Sequence, residues 1–196
     1  MDLLNHWRYF LSLEKEVVAT LRYVEFDSSQ SEVYSFEFAR LLILVCSELD
    51  VVFKVICDSV NVDEGADSVG KYQRCIAAKY KVEAEQVRID RFSLVLTPFD
   101  LWSSSRPPPW WTAQNKVKHH RHECFNQATF GNVLNATAGL FVANLILLNE
   151  FGLLGQVNER PSLLDREHSP GYVLREEGYR VIPRDAPLEG LPTLSS

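Results

Sequence analysis

The sequence predicts a mainly α-helical bundle with a small β addition, because two kinds of hydrophobic pattern occur along it. Apolar residues recur at helical spacing over most of the chain, in runs that are too long for strands. Strict alternation occurs only near residues 87–96 and near 172–182, which predicts one strand and a C-terminal β-hairpin. We therefore expect a helical domain over residues 1–155 and an extension over 156–196 that contains the hairpin and an irregular tail.

The predicted helices follow from where the apolar residues cluster. Residues 3–25 give a first amphipathic helix, and residues 33–60 give the most apolar one, whose polar side chains occupy less than half of its circumference. Residues 69–80 form a third helix, which residues 82–86 extend. Residues 126–151 form a long last helix, and its stripe of small residues allows another helix backbone to come close.

A short, strongly basic segment lies between the predicted strand and the last helix. Pro107–Pro109 suits a helix start, because proline lacks the N–H that the first helical turn leaves unbonded. The helix that follows, residues 110–122, is richer in His, Lys, Arg and Asn than any other part of the chain. A functional site, if the sequence reveals one, is therefore expected on this helix.

Helical spacing places the polar groups of this segment on defined faces. Asn115, His119 and His122 share one face, at i, i+4 and i+7, and Lys118 borders it. A histidine that can move a proton near neutral pH thus lies beside an amide and a fixed positive charge. These groups can polarise a phosphodiester, or they can satisfy one another in a polar helix contact. The neighbouring row consists of Gln114, Val117 and Arg121.

Composition narrows the class of protein. The 196 residues suffice for about one domain, and 46% hydrophobic and 23% charged residues are typical of a soluble globular chain. The net charge of -6 argues against a general nucleic-acid coat, because nonspecific affinity comes from basic surface, but it permits a local basic site. The four cysteines contain no CxxC pair, which favours reduced core or near-core thiols in the cytosol.

The sequence also predicts a cytoplasmic protein with no membrane partner. Residues 1–10 contain charged residues and lack the apolar run of a signal peptide. The most apolar segments, around 41–46 and 140–148, are interrupted by polar residues within the length of about 20 residues that a span needs. Both are expected to be buried core helices.

Several of these segments together resemble the bacterial HEPN-like superfamily. The resemblance lies in Asn115–His119 followed by Arg121, and in Asn132–Ala136 within a long apolar helix. The upstream segment Phe38–Asp50, with acidic residues late in an apolar run, is similar as well. The resemblance covers about residues 30–150.

The resemblance implies a small all-α bundle, often dimeric, and a link to toxin–antitoxin, abortive-infection or CRISPR-associated defence. Many members of this superfamily are metal-independent ribonucleases, so it implies RNA as substrate, a homodimer, an antitoxin or defence-system partner, and no cofactor. The family motif is an arginine, a polar residue and, a few residues later, a histidine; Asn115 and His119 match the last two. The arginine position holds Gln114, a neutral amide that stabilises phosphate charge less well than a guanidinium.

One hypothesis is therefore a metal-independent endoribonuclease. His119 would transfer a proton while a ribose 2′-hydroxyl attacks the adjacent phosphorus, and Lys118 and Arg121 would stabilise the developing charge. Asn115 would orient the phosphate or the imidazole. Glu48 and Asp50 would orient a histidine, or pair with Lys118 or Arg121 in a structural network. The supporting or substrate-binding residues under this hypothesis are Lys116, Gln114, His122, Glu48 and Asp50.

The alternative is a noncatalytic HEPN-like interaction module. In this reading the same helix binds nucleic acid, a nucleotide or an acidic protein surface, or only closes the bundle. Gln114 at the arginine position and the acidic overall charge favour it. A metal site is not expected in either case, because the helix lacks the glutamate-containing i, i+4 histidine pair of zinc hydrolases.

Overall fold

The computed structural model describes residues 2–60 and 65–164, together with the backbone of residues 172–175 and 178–181. This part of the chain contains five α-helices, and the fold class, mainly α with a small β addition, is confirmed. The helices are α1 (Leu4–Ala19), α2 (Phe36–Val60), α3 (Val69–Lys79), α4 (Pro109–Cys124) and α5 (Phe130–Glu150).

Helix α5 is the central helix of the bundle and packs against α1, α2 and α4. It is apolar around its circumference, and almost all of its side chains from Phe130 to Leu148 are buried. Among the described helices it alone is long and apolar enough to cross a membrane, but 83% of its most apolar stretch is buried inside the bundle. Gly139 allows close packing, since a Cβ there would lie 3.3 Å from ring carbons of Phe99 and Trp110.

The prediction of a single strand near residues 87–96 is wrong in the number of strands. The segment forms two short antiparallel strands, β1 (Val87–Ile89) and β2 (Leu94–Leu96). The chain reverses between them through a 3-10 turn at Asp90–Phe92, and Ser93 adopts a left-handed φ of 53°. Alternation indicated extended backbone correctly, but this turn contains none of the glycine, proline or asparagine that usually marks a reversal.

The C-terminal hairpin is confirmed at the level of the backbone. It consists of β3 (Tyr172–Arg175) and β4 (Gly178–Val181), paired antiparallel with Arg175 opposite Gly178. Strand β4 lies against α5. The irregular tail predicted beyond the hairpin lies outside the described residues.

Several predicted helix limits are also wrong. The first helix ends at residue 19 and not at 25, since residues 20–22 form a 3-10 turn, and the second begins at residue 36 and not at 33. The third helix does not continue through residues 82–86, because Tyr80 leaves the helical conformation with φ -123° and ψ 142°. The last helix begins at residue 130 instead of 126, because the Thr129 hydroxyl accepts a hydrogen bond from the Asn132 backbone N–H at 3.2 Å. A side-chain oxygen in this position satisfies one of the N–H groups that a helix start leaves unbonded.

The first part of the C-terminal extension is attached to α1 through one buried carboxylate. Glu14 is 1% exposed and accepts hydrogen bonds from the backbone N–H groups of Ser162, Leu163 and Leu164 at 2.8, 2.8 and 3.1 Å. The Ser162 hydroxyl donates to the same carboxylate at 3.1 Å. Leu163 and Leu164 join the hydrophobic core, so this segment packs as part of the bundle.

Candidate functional site

The basic helix α4 is anchored at its N-terminal end. Pro109 is its first residue and Pro108 its N-cap, which confirms the helix start predicted from the prolines. Trp110 is 1% exposed, and its indole N–H donates to the Pro98 carbonyl at 2.8 Å. Trp111 is buried as well. These anchors fix the beginning of α4 in the core, so that its polar second half runs along the surface.

The polar half of α4 is interrupted at His120, whose φ of -134° and ψ of 37° are not helical. A continuous helix would keep Asn115, His119 and His122 on one face. The break changes the direction of the residues that follow it, Arg121 and His122. Asn115 and His119 precede the break and keep their i, i+4 relation, whereas His122 follows it, so the residues around the break form a different grouping from the predicted three-residue face.

That grouping is an open groove with a volume of about 600 Å³ between the end of α4 and the beginning of α2. Four of its lining residues carry basic or imidazole side chains, and the other four are apolar. The groove is lined by Phe36, Ile43, Val117, Lys118, His119, Arg121, His122 and Phe125. We call this surface the basic groove.

The positive groups of the basic groove are available to a ligand. Within the described part of the chain, Lys118, His119 and Arg121 make no hydrogen bond or ion pair through their side chains, and all three are exposed. His122 Nε2 lies 3.2 Å from a Glu123 carboxylate oxygen, but both side chains are largely exposed, so this pair contributes little. The groove therefore presents uncompensated positive charge on a protein whose net charge is -6.

Three of the predicted α4 residues lie outside this groove. Gln114, at the arginine position of the family motif, is 5% exposed and faces the core. Asn115 and Lys116 are exposed on α4 but do not line the groove. The groove thus brings together Lys118, His119, Arg121 and His122, and residues 114 and 115 are not among its lining residues.

The two predicted carboxylates are bonded to other helices. Glu48 Oε1 lies 2.6 Å from Nδ1 of the buried His6 on α1. Asp50 accepts hydrogen bonds from the Tyr72 hydroxyl on α3 at 2.7 Å and from Lys54 at 2.5 Å. Glu48 therefore does contact a histidine, but one on α1, and among the described residues neither carboxylate pairs with His119, Lys118 or Arg121.

Candidate metal ligands do not cluster in the part of the chain that the structure describes. It contains no group of three or more His, Cys, Asp or Glu side chains placed to hold an ion. His119 and His122 line the same groove without a third such ligand. Cys46 is a fully buried thiol, and burial raises its pKa well above the ordinary value, so it is not a reactive thiolate.

The sequence did not predict the exposed aromatic residues in the groove and beside it. Tyr34 and Phe36 fall within the predicted apolar helix of residues 33–60, yet they are 51% and 78% exposed. The cause is the start of α2: the Ser35 hydroxyl accepts a hydrogen bond from the Phe38 N–H at 3.0 Å, so the helix begins at Phe36 and no preceding turn covers that ring. The signal that could have revealed it is the serine between two aromatic residues, a typical helix cap.

A second cavity, of about 370 Å³, lies at the beginning of α5 and is mainly polar. Asn132 and Asn135 line it, and their amide groups donate to the carbonyls of Gln127 and Gly131 at 2.9 and 3.0 Å. These bonds are local, so both asparagines act on the backbone near their own helix start. This cavity contains no Lys, Arg or His, unlike the basic groove.

No protein-family model matches the chain, and comparisons with curated proteins and with solved structures find no match. The resemblance to the HEPN-like superfamily therefore rests on the sequence motif alone. The function has to be argued from the chemistry of the basic groove.

Proposed function

We propose that this protein is a noncatalytic RNA-binding module whose ligand occupies the basic groove. The observation that carries the proposal is the convergence of Lys118, His119, Arg121 and His122 on one groove where, among the described residues, the exposed Glu123 is the one carboxylate paired with any of them. Unpaired Lys and Arg side chains on an open surface are the groups that contact nucleic-acid phosphates. A polyanion can contact both cations at once, because Lys118 and Arg121 line the same open groove.

The position of Gln114 supports binding without cleavage. In the family motif this position supplies the guanidinium that stabilises the reacting phosphate, but here it is 5% exposed and faces the core. An arginine there would be a buried charge, which is costly without a partner. Asn115 lies outside the groove as well, so two of the three motif positions do not meet the proposed ligand.

A metal-independent ribonuclease is the second candidate, and a specific observation favours it. His119, a side chain able to transfer a proton, lines the same groove as Lys118 and Arg121. In that reaction the ribose 2′-hydroxyl loses its proton and attacks phosphorus, the bond to the 5′ oxygen breaks, and that oxygen takes up a proton. The products are a 2′,3′-cyclic phosphate end and a 5′-hydroxyl end.

Binding is tested with a labelled single-stranded RNA, by fluorescence anisotropy in EDTA. We expect the double variant Lys118→Ala/Arg121→Ala to weaken binding about 10-fold, because two phosphate contacts are lost. A matched control is Lys81→Ala/Arg106→Ala, which removes the same charge from exposed positions outside both cavities. Equal losses in the two double variants would refute binding at the groove.

Cleavage is tested on the same RNA, by following its length and the cyclic phosphate end. We expect the wild-type protein to leave the RNA intact, as a binding module does. Cutting that His119→Ala abolishes would establish the ribonuclease instead, with His119 as a catalytic residue. Gln114→Arg is a further arm, and it requires a measurement of folding because the new charge enters a buried position.

A further inference from the structure

We propose that Tyr34, Phe36 and Phe125 form a platform on which bases of single-stranded RNA stack while the adjacent phosphates contact Lys118 and Arg121. This inference rests on the proposed function and names the ligand class of the same groove. It concerns the aromatic wall of the groove, whereas the proposed function rests on its cations.

The three rings form one continuous cluster. The Phe36 and Phe125 centroids are 4.7 Å apart with an interplanar angle of 34°, and Tyr34 meets Phe125 edge to face at 5.4 Å and 88°. Phe125 is half-buried and supports the two outer rings, which are 51% and 78% exposed. A single exposed aromatic residue is ordinary, but adjacent exposed rings rimmed by charged groups mark an interaction surface.

The backbone under the platform is held in place before any ligand binds. Tyr34 forms an isolated antiparallel bridge with Thr129, at the start of α5. Next to it, on the N-terminal side of Tyr34, the Phe130 N–H donates to the Val33 carbonyl at 2.8 Å, and the Gly131 N–H donates to the Ser31 carbonyl at 2.9 Å. A fixed platform binds more tightly than a flexible one, because less conformational freedom is lost on binding.

Charge around the platform selects an anionic ligand. Phe36 and Phe125 line the same groove as Lys118 and Arg121. The nearest acidic side chain along α2, Glu37, receives two hydrogen bonds from Arg40, and these lower its pKa and compensate its charge. Rings beside cations are the combination that binds single strands, since bases stack on the rings and phosphates meet the positive groups.

The exposed ring faces favour single strands over duplexes. Bases within a duplex already stack on one another and cannot reach a ring on a protein surface, whereas bases of a single strand can splay out and stack on it. Stacked bases and bound phosphates together account for both the rings and the cations, so we commit to a nucleic-acid single strand as the occupant, and to RNA because the proposed function names it.

The test compares three labelled ligands of about 12 nucleotides, a length within the range that single-strand sites cover. They are a single-stranded RNA, the corresponding duplex, and an abasic strand that keeps every phosphate and lacks the bases. The protein variants are Phe36→Ala, Phe36→Leu, Phe36→Trp and Tyr34→Ala. The matched control is Tyr23→Ala, which removes a ring that is 86% exposed and does not line the groove.

We expect Phe36→Ala and Phe36→Leu to weaken binding of the single strand by about 5- to 100-fold, the usual effect of removing a stacking ring. Phe36→Trp should retain affinity, because it keeps an aromatic face, and Tyr23→Ala should have no effect. The abasic strand should bind weakly to the wild-type protein and equally weakly to Phe36→Ala. The duplex should bind less well than the single strand.

The outcomes separate this inference from the proposed function. If Phe36→Ala, Phe36→Leu and Tyr34→Ala bind the single strand as well as wild type while Lys118→Ala/Arg121→Ala does not, the platform is refuted and the basic groove stands. Equal affinity for the abasic strand and the single strand refutes the platform in the same way. If the wild-type protein binds none of the three ligands, the proposed function itself fails.

Discussion

Replacing Glu14 by glutamine should destabilise this protein strongly, although the two side chains have nearly the same shape. The Glu14 carboxylate accepts four hydrogen bonds from residues 162–164: Oε2 from the N–H and hydroxyl of Ser162, and Oε1 from two further backbone N–H groups. All of these bonds are formed to a charged acceptor that is 1% exposed. The buried carboxylate thus joins α1 to a segment about 150 residues later in the chain.

The magnitude follows from what an amide can still accept. The amide oxygen of Glu14→Gln can keep the two bonds to Leu163 and Leu164, but as neutral bonds of about half the strength. Its NH₂ group then faces the Ser162 N–H, which loses its acceptor. A fully buried unsatisfied donor costs about 1–3 kcal/mol, and since Ser162 is itself exposed, the cost here lies at the lower end of that range. Together these terms predict a loss of about 2–4 kcal/mol, or about 4–16 °C in Tm for a chain of this size.

The assay is urea unfolding, followed by circular dichroism, of Glu14→Gln beside a control on the same helix. The control is Glu16→Gln, which removes an exposed carboxylate paired with Arg40 and should cost at most about 1 kcal/mol. Hydrogen exchange at residues 162–164 should accelerate in Glu14→Gln and stay unchanged in the control. Equal stability of the two variants, with unchanged exchange at 162–164, would refute the reasoning.

Two further predictions concern the salt and pH dependence of the molecule. In a log–log plot of RNA affinity against salt concentration, each phosphate contact to a single strand contributes about 0.7 to the slope. Lys118→Ala/Arg121→Ala removes two such contacts and should flatten the slope by about 1.4. An unchanged slope would contradict phosphate binding by these residues. The second concerns Tyr72, whose pKa in the folded protein is raised by burial and by its hydrogen bond to Asp50. In the unfolded chain this phenol has its ordinary pKa of 10.0 and ionises above pH 10, whereas in the folded protein it stays neutral. The free energy of unfolding should therefore fall above pH 10, by about 1.4 kcal/mol at pH 11. Measured by urea unfolding, Tyr72→Phe should lack this part of the loss, whereas the control Tyr23→Phe should keep it. The same dependence of unfolding free energy on alkaline pH in wild type and Tyr72→Phe would contradict the prediction.

The helices could be predicted because their signals are local. The apolar surface of α5 runs around the whole helix, and this predicted correctly that it is a buried helix. The prolines before Trp110 indicated the start of α4, since the backbone preference of proline acts on its own turn. Periodicity and proline both operate within a few residues, so a single sequence contains them in full.

The positions of Glu14 and His6 in the sequence of α1 indicate that both side chains are buried. Both lie at helical spacing from Phe10, on the apolar face of α1, and both are buried. A polar residue on an apolar face predicts a buried hydrogen-bond partner. The identity of that partner, Glu48 for His6 and residues 162–164 for Glu14, depends on long-range packing that no local pattern encodes.

The basic groove depends on a break in α4 that the sequence does not announce. His120 is neither glycine nor proline, and nothing in residues 110–122 distinguishes a broken helix from a continuous one. Helical spacing predicted one face that carries Asn115, His119 and His122; of these, His119 and His122 line the groove and Asn115 does not. The exposed rings were not predicted because Ser35 caps α2, so that the helix begins at residue 36 and not at residue 33 as apolar periodicity suggests.

The same geometry gives Gln114 a physical explanation. From the sequence, an amide at the arginine position of the family motif has two readings, a lost catalytic charge or a charge moved to a neighbouring residue. The structure makes position 114 a core-facing position, 5% exposed and three residues before Val117, which lines the base of the groove. A guanidinium there would have to be buried, whereas Lys118 and Arg121 can present their charge to solvent without that cost. A neutral amide at 114 therefore fits this packing, and the cations Lys118 and Arg121 of α4 lie at its exposed end.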